Sequence, residues 1–296
     1  MKKSSYLFVA LLTIAIIGLG VAFNTSMPIV PTKTVKTNKL TKNSKPKKDY
    51  VVNTTWNLPK ALKEVSGIAW LSPATFACIQ DEDGSIYVYD ITSKSIIKRI
   101  DFAGPGDYEG IAIVNKDAYI MRSDGILFEV TDFQSQDKKV TTFSTGFSIK
   151  HNMETLTYNN NTNRLITAPK DEGLKDKNFK SLYEIDLETK IRGVQPFLKI
   201  DMNAEAFNTF RKKKAEKTFN PSDAAIHPET KDIYILEGKH PKLVIFTPEG
   251  DIKKVIRLNK DEFPQPEGIT FSEDGLLYIS NEAHKGPATL LEVTIK

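Results

Sequence analysis

The sequence predicts an all-β fold: a single β-propeller of five blades, each of four antiparallel strands, with six blades as the alternative count. Three observations predict it. An acidic or small polar residue, often followed by glycine and then a β-rich run, recurs at residues 66–70 (SGIAW), 109–113 (EGIAI), 154–158 (ETLTY), 223–226 (DAAI) and 267–271 (EGITF). Three of the four spacings between these openings are 43 to 45 residues, the period of a blade of four short strands. Between the openings lie short runs rich in Ile, Val, Tyr, Phe and Thr, separated by Asp-Gly or serine-rich turns.

From the N-terminus, Met1, Lys2 and Lys3 precede residues 6–23, which are apolar or small and uncharged. This is the pattern of a secretory signal or a single membrane anchor. Gly20 and Ala22 permit cleavage after Ala22, and an uncleaved span with Lys2 and Lys3 inside is the equal alternative. No cysteine follows the apolar run to accept a lipid. Residues 24–49 are rich in lysine with Thr, Asn, Ser and Pro; so little apolar surface cannot offset the entropy of ordering, and the stretch reads as a disordered tether. The expected address is the bacterial cell envelope, with the propeller outside the cytoplasm, membrane-anchored or, if cleaved, periplasmic or secreted.

Residues 1–50 hold nine lysines and one aspartate, a formal +8, which leaves −4 for residues 51–296 out of the net +4. The basic balance therefore belongs to the tether. A mildly acidic body repels phosphate backbones, so no nucleic-acid partner is expected. Lysines beside a membrane span suit anionic lipid or wall polymer, or serve only as a solvated spacer. Cys78 is the only cysteine, so stability has to come from an ordinary apolar core.

The first unit continues with strands at 75–80, 85–91 and 95–102, the second at 117–122, 126–131 and 138–144, the third at 165–169, 182–187 and 194–200, and the fourth at 232–236, 242–247 and 252–258. The last unit has three strands, and residues 50–58 are free to supply its fourth, closing the ring and leaving no unpaired edge at the seam. The long interval between Glu154 and Asp223 leaves residues 203–219 as an insertion, expected to be helical because Phe207 and Phe210 share one face and Arg211 to Lys214 follow.

Residues 64–70 (EVSGIAW), 107–112 (DYEGIA), 221–228 (PSDAAIHP), 265–271 (QPEGITF) and 275–282 (GLLYISNE) resemble the SdiA-regulated, YjiK-like family of bacterial envelope proteins. The likeness spans the region after the tether. It implies a propeller behind an N-terminal membrane segment and no particular activity. Thr155, where the family usually has glycine, and the insertion near Lys213 depart from the pattern.

First strands of propeller blades line the central tunnel, so Ser66, Glu109, Glu154, Asp223 and Glu267 should converge, four of them acidic. At separations of about 8 Å and an effective dielectric near 20, each like-charge pair costs roughly 2 kcal/mol; in a water-filled tunnel the cost falls to about 0.5 kcal/mol. Either hydration or a cation relieves it. Carboxylate oxygens suit Ca²⁺, and the lack of a close His or Cys cluster disfavours zinc, so Glu64, Glu109, Glu154, Asp223 and Glu267 are the candidate metal ligands. The bland alternative is that these acids accept hydrogen bonds from neighbouring amides.

Loops between second and third strands should open on the same face, and Asp81, Glu82, Arg122, Lys170, Glu237, His240 and Glu282 are the candidate ligand-binding residues, suited to a small polar ligand or an envelope polymer. His151, three residues before Glu154, is the candidate base, with an exposed loop histidine as the alternative; His227 should be structural. No nucleophile elbow, phosphate loop or zinc-protease motif is present. The expected function is therefore a binding or sensing module with an acidic, Ca²⁺-compatible centre; the alternative is a metal-dependent lactonase or phosphoesterase with the metal in the tunnel.

Overall fold

The computed structural model describes residues 48–171, 173 and 177–296; the apolar N-terminus and almost all of the tether lie outside them. The first strand, β1 (Tyr50–Asn57), leaves its neighbours in sequence and joins the far end of the chain. Blade 1 holds β2 (Val65–Ser72), β3 (Thr75–Gln80), β4 (Ser85–Asp90) and β5 (Ser95–Asp101). Blade 2 holds β6 (Tyr108–Val114), β7 (Asp117–Arg122), β8 (Ile126–Thr131) and β9 (Lys139–Ser144). Blade 3 holds β10 (Met153–Asn159), β11 (Arg164–Pro169), β12 (Phe179–Asp186) and β13 (Leu198–Asp201). Blade 4 holds β14 (Asp223–Ile226), β15 (Ile233–Glu237), β16 (Lys242–Phe246) and β17 (Ile252–Arg257). Blade 5 holds β18 (Pro266–Phe271), β19 (Leu277–Asn281) and β20 (Thr289–Ile295), with β1 antiparallel to β20 as its outer strand. The described residues thus form the five-bladed ring, closed by its N-terminal strand, that the repeat predicts.

The innermost strands pack side by side in the order β2, β6, β10, β14, β18 and back to β2. Between each pair of adjacent blades lies one apolar cluster, five in all. Strand alternation builds them: on β15, Ile233 and Ile235 enter the interface with blade 3, while Tyr234 and Leu236 enter the interface with blade 5. Middle strands are therefore buried on both faces, whereas outer strands such as β9 are largely exposed. Cys78 is buried between blades 1 and 5.

The insertion at 203–219 is not the expected helix. It contains two single 3-10 turns, Glu205–Phe207 and Ala215–Lys217. Only Phe207 of the expected face is fully buried, stacked on Phe219 beneath blades 3 and 4, while Phe210 lies under the Arg257 guanidinium at 4.5 Å. Two aromatics give too short an apolar stripe to carry an amphipathic helix, and the adjacent Arg211, Lys212, Lys213 and Lys214 repel one another along it.

Candidate functional site: a charged central mouth

A bulge precedes or opens each innermost strand. The ladder skips a residue between Val65 and Gly67, between Tyr108 and Gly110 and between Met153 and Thr155, and between Pro266 and Ile269 two residues stand opposite the one between Ile279 and Asn281. Such bulges take one residue out of the ladder and re-aim its side chain, here Ser66, Glu109, Glu154 and Glu267. In blade 4 the amide of Ser222 bonds the Leu236 carbonyl while Asp223 also faces Leu236, so Ser222 fills the bulge position. Its hydroxyl donates to the Pro266 carbonyl at 3.3 Å, just as Ser66 donates to the Tyr108 carbonyl at 2.6 Å, each to the residue before the next blade's glutamate.

Asp223 therefore stands one position later than the opening pattern implied, in register with Gly67, Gly110, Thr155 and Gly268. At these positions a side chain points at the next innermost strand: a Cβ on Gly110 would lie 2.7 Å from the Glu154 carbonyl oxygen and 2.9 Å from the Leu156 amide nitrogen, and one on Gly268 would lie 2.9 Å from the Ile68 amide nitrogen. Asp223 uses this direction. Its carboxylate accepts the Ile269 amide at 3.0 Å and, from the blade on its other side, the Leu156 amide at 3.4 Å. It is 1 % exposed and stitches three blades together. Burial raises its pKa well above the usual carboxylate value, against the lowering effect of the donated amides. This is the amide-accepting role foreseen as the alternative to metal ligation.

The three glutamates do converge, and a lysine converges with them. Lys170, at the end of blade 3's second strand, places Nζ 2.5 Å from Glu154 Oε2, with side-chain exposures of 23 % and 5 %; Asn152 donates to Glu154 Oε1 at 3.0 Å. Burial, then the charges of Glu154 and Asp107, raise the Glu109 pKa; burial is likewise the main cause for Glu154 and Glu267, and Lys170 opposes it in all three. Burial, the largest single cause, lowers the Lys170 pKa, but the charges of Glu154, Glu267 and Glu109 and the hydrogen bond to Glu154 together outweigh it and raise it. Among the described residues no three His, Cys, Asp or Glu side chains come together as a metal-holding group. The donor set here is carboxylates with an ammonium already against one of them, which does not fit a preformed Ca²⁺ cage.

Outward over blades 5, 1 and 2 the mouth stays acidic. Burial and the charges of Glu64, Glu82 and Asp107 push the Asp81 carboxyl up to about 6. Burial and the charges of Glu267, Asp81 and Glu64 push Glu282 up to about 7, and Gln265 donates its amide to Glu282. Glu64 pairs with Lys63 at 3.2 Å, and the exposed Glu82 lies 3.9 Å from the same ammonium. Arg122 grips Asp124 with two hydrogen bonds of 3.0 and 2.8 Å over the Phe128 ring.

Over blades 3 to 5 the mouth opens into a cleft of about 1420 Å³ that runs from Lys170 and Glu267 outward past His240 to Val52, Thr55 and Leu291. Glu237 does not face it as a free acid: it is fully buried against Lys242, whose ammonium lies 5.8 and 5.7 Å from the Phe210 and Phe219 ring centres. His151 is buried too. Its Nδ1 accepts the Ser148 amide at 2.9 Å in a capping box, and its ring packs edge-on against Phe147, so this nitrogen serves the backbone. His227 Nδ1 accepts the Glu229 and Thr230 amides on a turn, a structural role.

Sequence reasoning missed Ser222, Asn152 and Gln265. The first was detectable, since residues 221–223 (PSD) parallel residues 65–67 (VSG) once serine rather than acid is taken as the marker. Nothing in the sequence marked the other two.

No curated protein matches the chain. Among solved structures it is similar to the glutaminyl cyclase of Myxococcus xanthus, at 13 % identity over 83 % of this chain and 96 % of that one, TM-score 0.58. It is also similar to a luciferin-regenerating enzyme, at 10 % identity over 81 % and 95 %, TM-score 0.51, and to a streptogramin B lyase, at 10 % over 83 % and 98 %, TM-score 0.50. At these identities the likeness is one of fold. The model of the SdiA-regulated family matches residues 42–285, which take in all five blade openings and every strand but β20, and the chain belongs to the SdiA-regulated family.

Proposed function

We propose that the propeller is a binding module whose central mouth takes a ligand with a cationic group. The observation that carries this reading is the gathering of Glu109, Glu154 and Glu267 around the single Lys170 ammonium, with Asp81 and Glu282 beside them. Burial and mutual repulsion hold all five carboxyls above their ordinary pKa. An incoming cation relieves that repulsion, so part of the cost of assembling the site returns on binding. Ca²⁺ is one such cation, but it has to displace Lys170 from Glu154; an organic ammonium meets the same carboxylates by hydrogen bonds. No observation favours hydrolysis: the candidate base His151 has Nδ1 engaged with Ser148. The apolar run at 6–23 supports display of the module on the outer side of a membrane.

Calorimetry of the full chain with CaCl₂ and, separately, with a short alkyl diamine tests the reading. Binding of either, weakened at least tenfold by Glu109→Gln with Glu267→Gln and strengthened as pH rises from about 6 to about 8, is the expected result. Binding by neither, or equal binding by the double variant, refutes it. Chelator-sensitive turnover of lactones, aryl esters or phosphate esters would replace it with the hydrolase reading.

A further inference from the structure

The outer part of the cleft has a chemistry opposite to that of its centre. Lys212, Lys213, Lys214, Lys239, Lys260 and Lys285 line it, and among the described residues none of the six has a carboxylate oxygen within 4 Å, although fourteen such pairs are formed by other lysines and arginines. Four acids share the walls, fewer than the six lysines: Glu262 is held by Lys48 and Tyr50, Asp171 lies 3.7 Å from Lys217, Glu267 belongs to the acidic centre, and Asp261 is the fourth. Their combined field reaches a neighbour. The His240 pKa is lowered by burial and then by Lys212, Lys242, Lys260 and Lys239.

We infer that this lysine-lined cleft is a second binding site, for a multivalent phosphate chain. Six separate, flexible ammonium groups on four different segments suit an anion with charges distributed along its length, and lysine meets phosphate as a point charge. No arginine lines the cleft, so the planar fork that pairs bidentately with carboxylate is missing. No Phe, Tyr or Trp lines it either, only the smaller imidazoles of His240 and His284, so it offers little surface for stacking bases and suits a base-free phosphate chain better than a nucleic acid. The site is independent of the cation-binding reading of the centre, and substitutions at Glu109 or Glu267 leave it in place.

The test is calorimetry of the full chain with inorganic tripolyphosphate. Its lysine-rich tether also attracts anions, so a triple variant in the cleft, Lys212→Glu, Lys214→Glu and Lys260→Glu, is compared with a triple variant in the tether, Lys33→Glu, Lys36→Glu and Lys39→Glu, which changes net charge equally. The expected result is at least tenfold weaker binding in the cleft variant, less than threefold in the tether variant, and loss of affinity with added salt. Should the cleft variant melt early, Lys239→Gln with Lys285→Gln is read in the same way, with at least threefold weakening expected. Undetectable binding by the wild type, equal weakening by both triples, or tighter binding of a polyuronate than of polyphosphate overturns the inference.

Discussion

Replacing Lys170 by methionine keeps the length of the side chain and removes only its charge. Nζ lies 2.5 Å from Glu154 Oε2, and the glutamate side chain is 5 % exposed. With charge centres about 4 Å apart and an effective dielectric near 20, the attraction is about 4 kcal/mol, in line with roughly 3–5 kcal/mol for stranding one partner of a buried pair. That cost depends on the glutamates being ionised. Glu154 and Glu109 are pushed up to about 8 and about 10 and Glu267 is raised as well, so at about pH 5 Glu154 and Glu109 carry protons in the folded wild type and the lysine has little to hold. At about pH 8.5 more of their charge is present and the ammonium counts. Urea unfolding should therefore show Lys170→Met destabilised by less than about 1 kcal/mol at the lower pH and by about 3 kcal/mol at the higher, with an unchanged m-value and near-wild-type behaviour for Lys170→Arg. A penalty independent of pH, or none at either, would refute the electrostatic account of the mouth.

Asp223→Asn keeps the shape but turns one acceptor into a donor facing an amide, and should cost about 1–3 kcal/mol in urea melts; a neutral result removes its role as the stitch between blades 3, 4 and 5. Gly110→Ala, whose Cβ would press on backbone at 2.7 and 2.9 Å, should cost at least about 1–3 kcal/mol, whereas Gly104→Ala, with no atom within 4 Å, should be neutral. Glu237→Ala leaves the Lys242 ammonium buried alone and should cost roughly 3–5 kcal/mol, most of it recovered in the double variant with Lys242→Met; a mild single variant contradicts the buried pairing. Because Asp81 and Glu282 titrate at about 6 and about 7 when folded, the folded state keeps protons that the unfolded chain has released. Stability should then fall as pH rises from about 4 to about 7, and go on falling above it as Glu154 and Glu109, pushed up to about 8 and about 10, release theirs. Glu282→Gln should shrink that fall by about 1 kcal/mol after allowance for solvent screening.

Much of the ring was legible because strand alternation and turn chemistry act locally. The expected strands at 117–122 and 126–131 coincide with β7 and β8, whose Ser-Asp-Gly turn is sharp: Gly125 has φ +83° and would press a Cβ against Phe147. Blade 3 was less legible. β12 begins three residues before the expected 182, and β13 (Leu198–Asp201) is shorter than the expected 194–200, since Gly193 and Pro196 interrupt the run. At the centre, acidic character was the wrong guide to register: Asp223 and Glu267 are both acids at an opening, yet one accepts backbone amides and the other faces the mouth. The position of Lys170 against Glu154 depends on how two strands of one blade end beside each other, which residue type alone does not disclose.

The seam of the ring couples the first and last described strands, Tyr50 with Ile295 and Asn57 with Thr289. During synthesis at roughly 5–20 residues per second, β1 waits on the order of ten to fifty seconds for its partner to be made. Blades 1 to 4 can pair internally as they emerge, but the ring cannot lock until the final residues are free. For the nascent chain, the emergence of β20 is thus a folding event. A truncation within β20 also releases β1, the outer edge of blade 5, although the two strands stand at opposite ends of the ring's sequence.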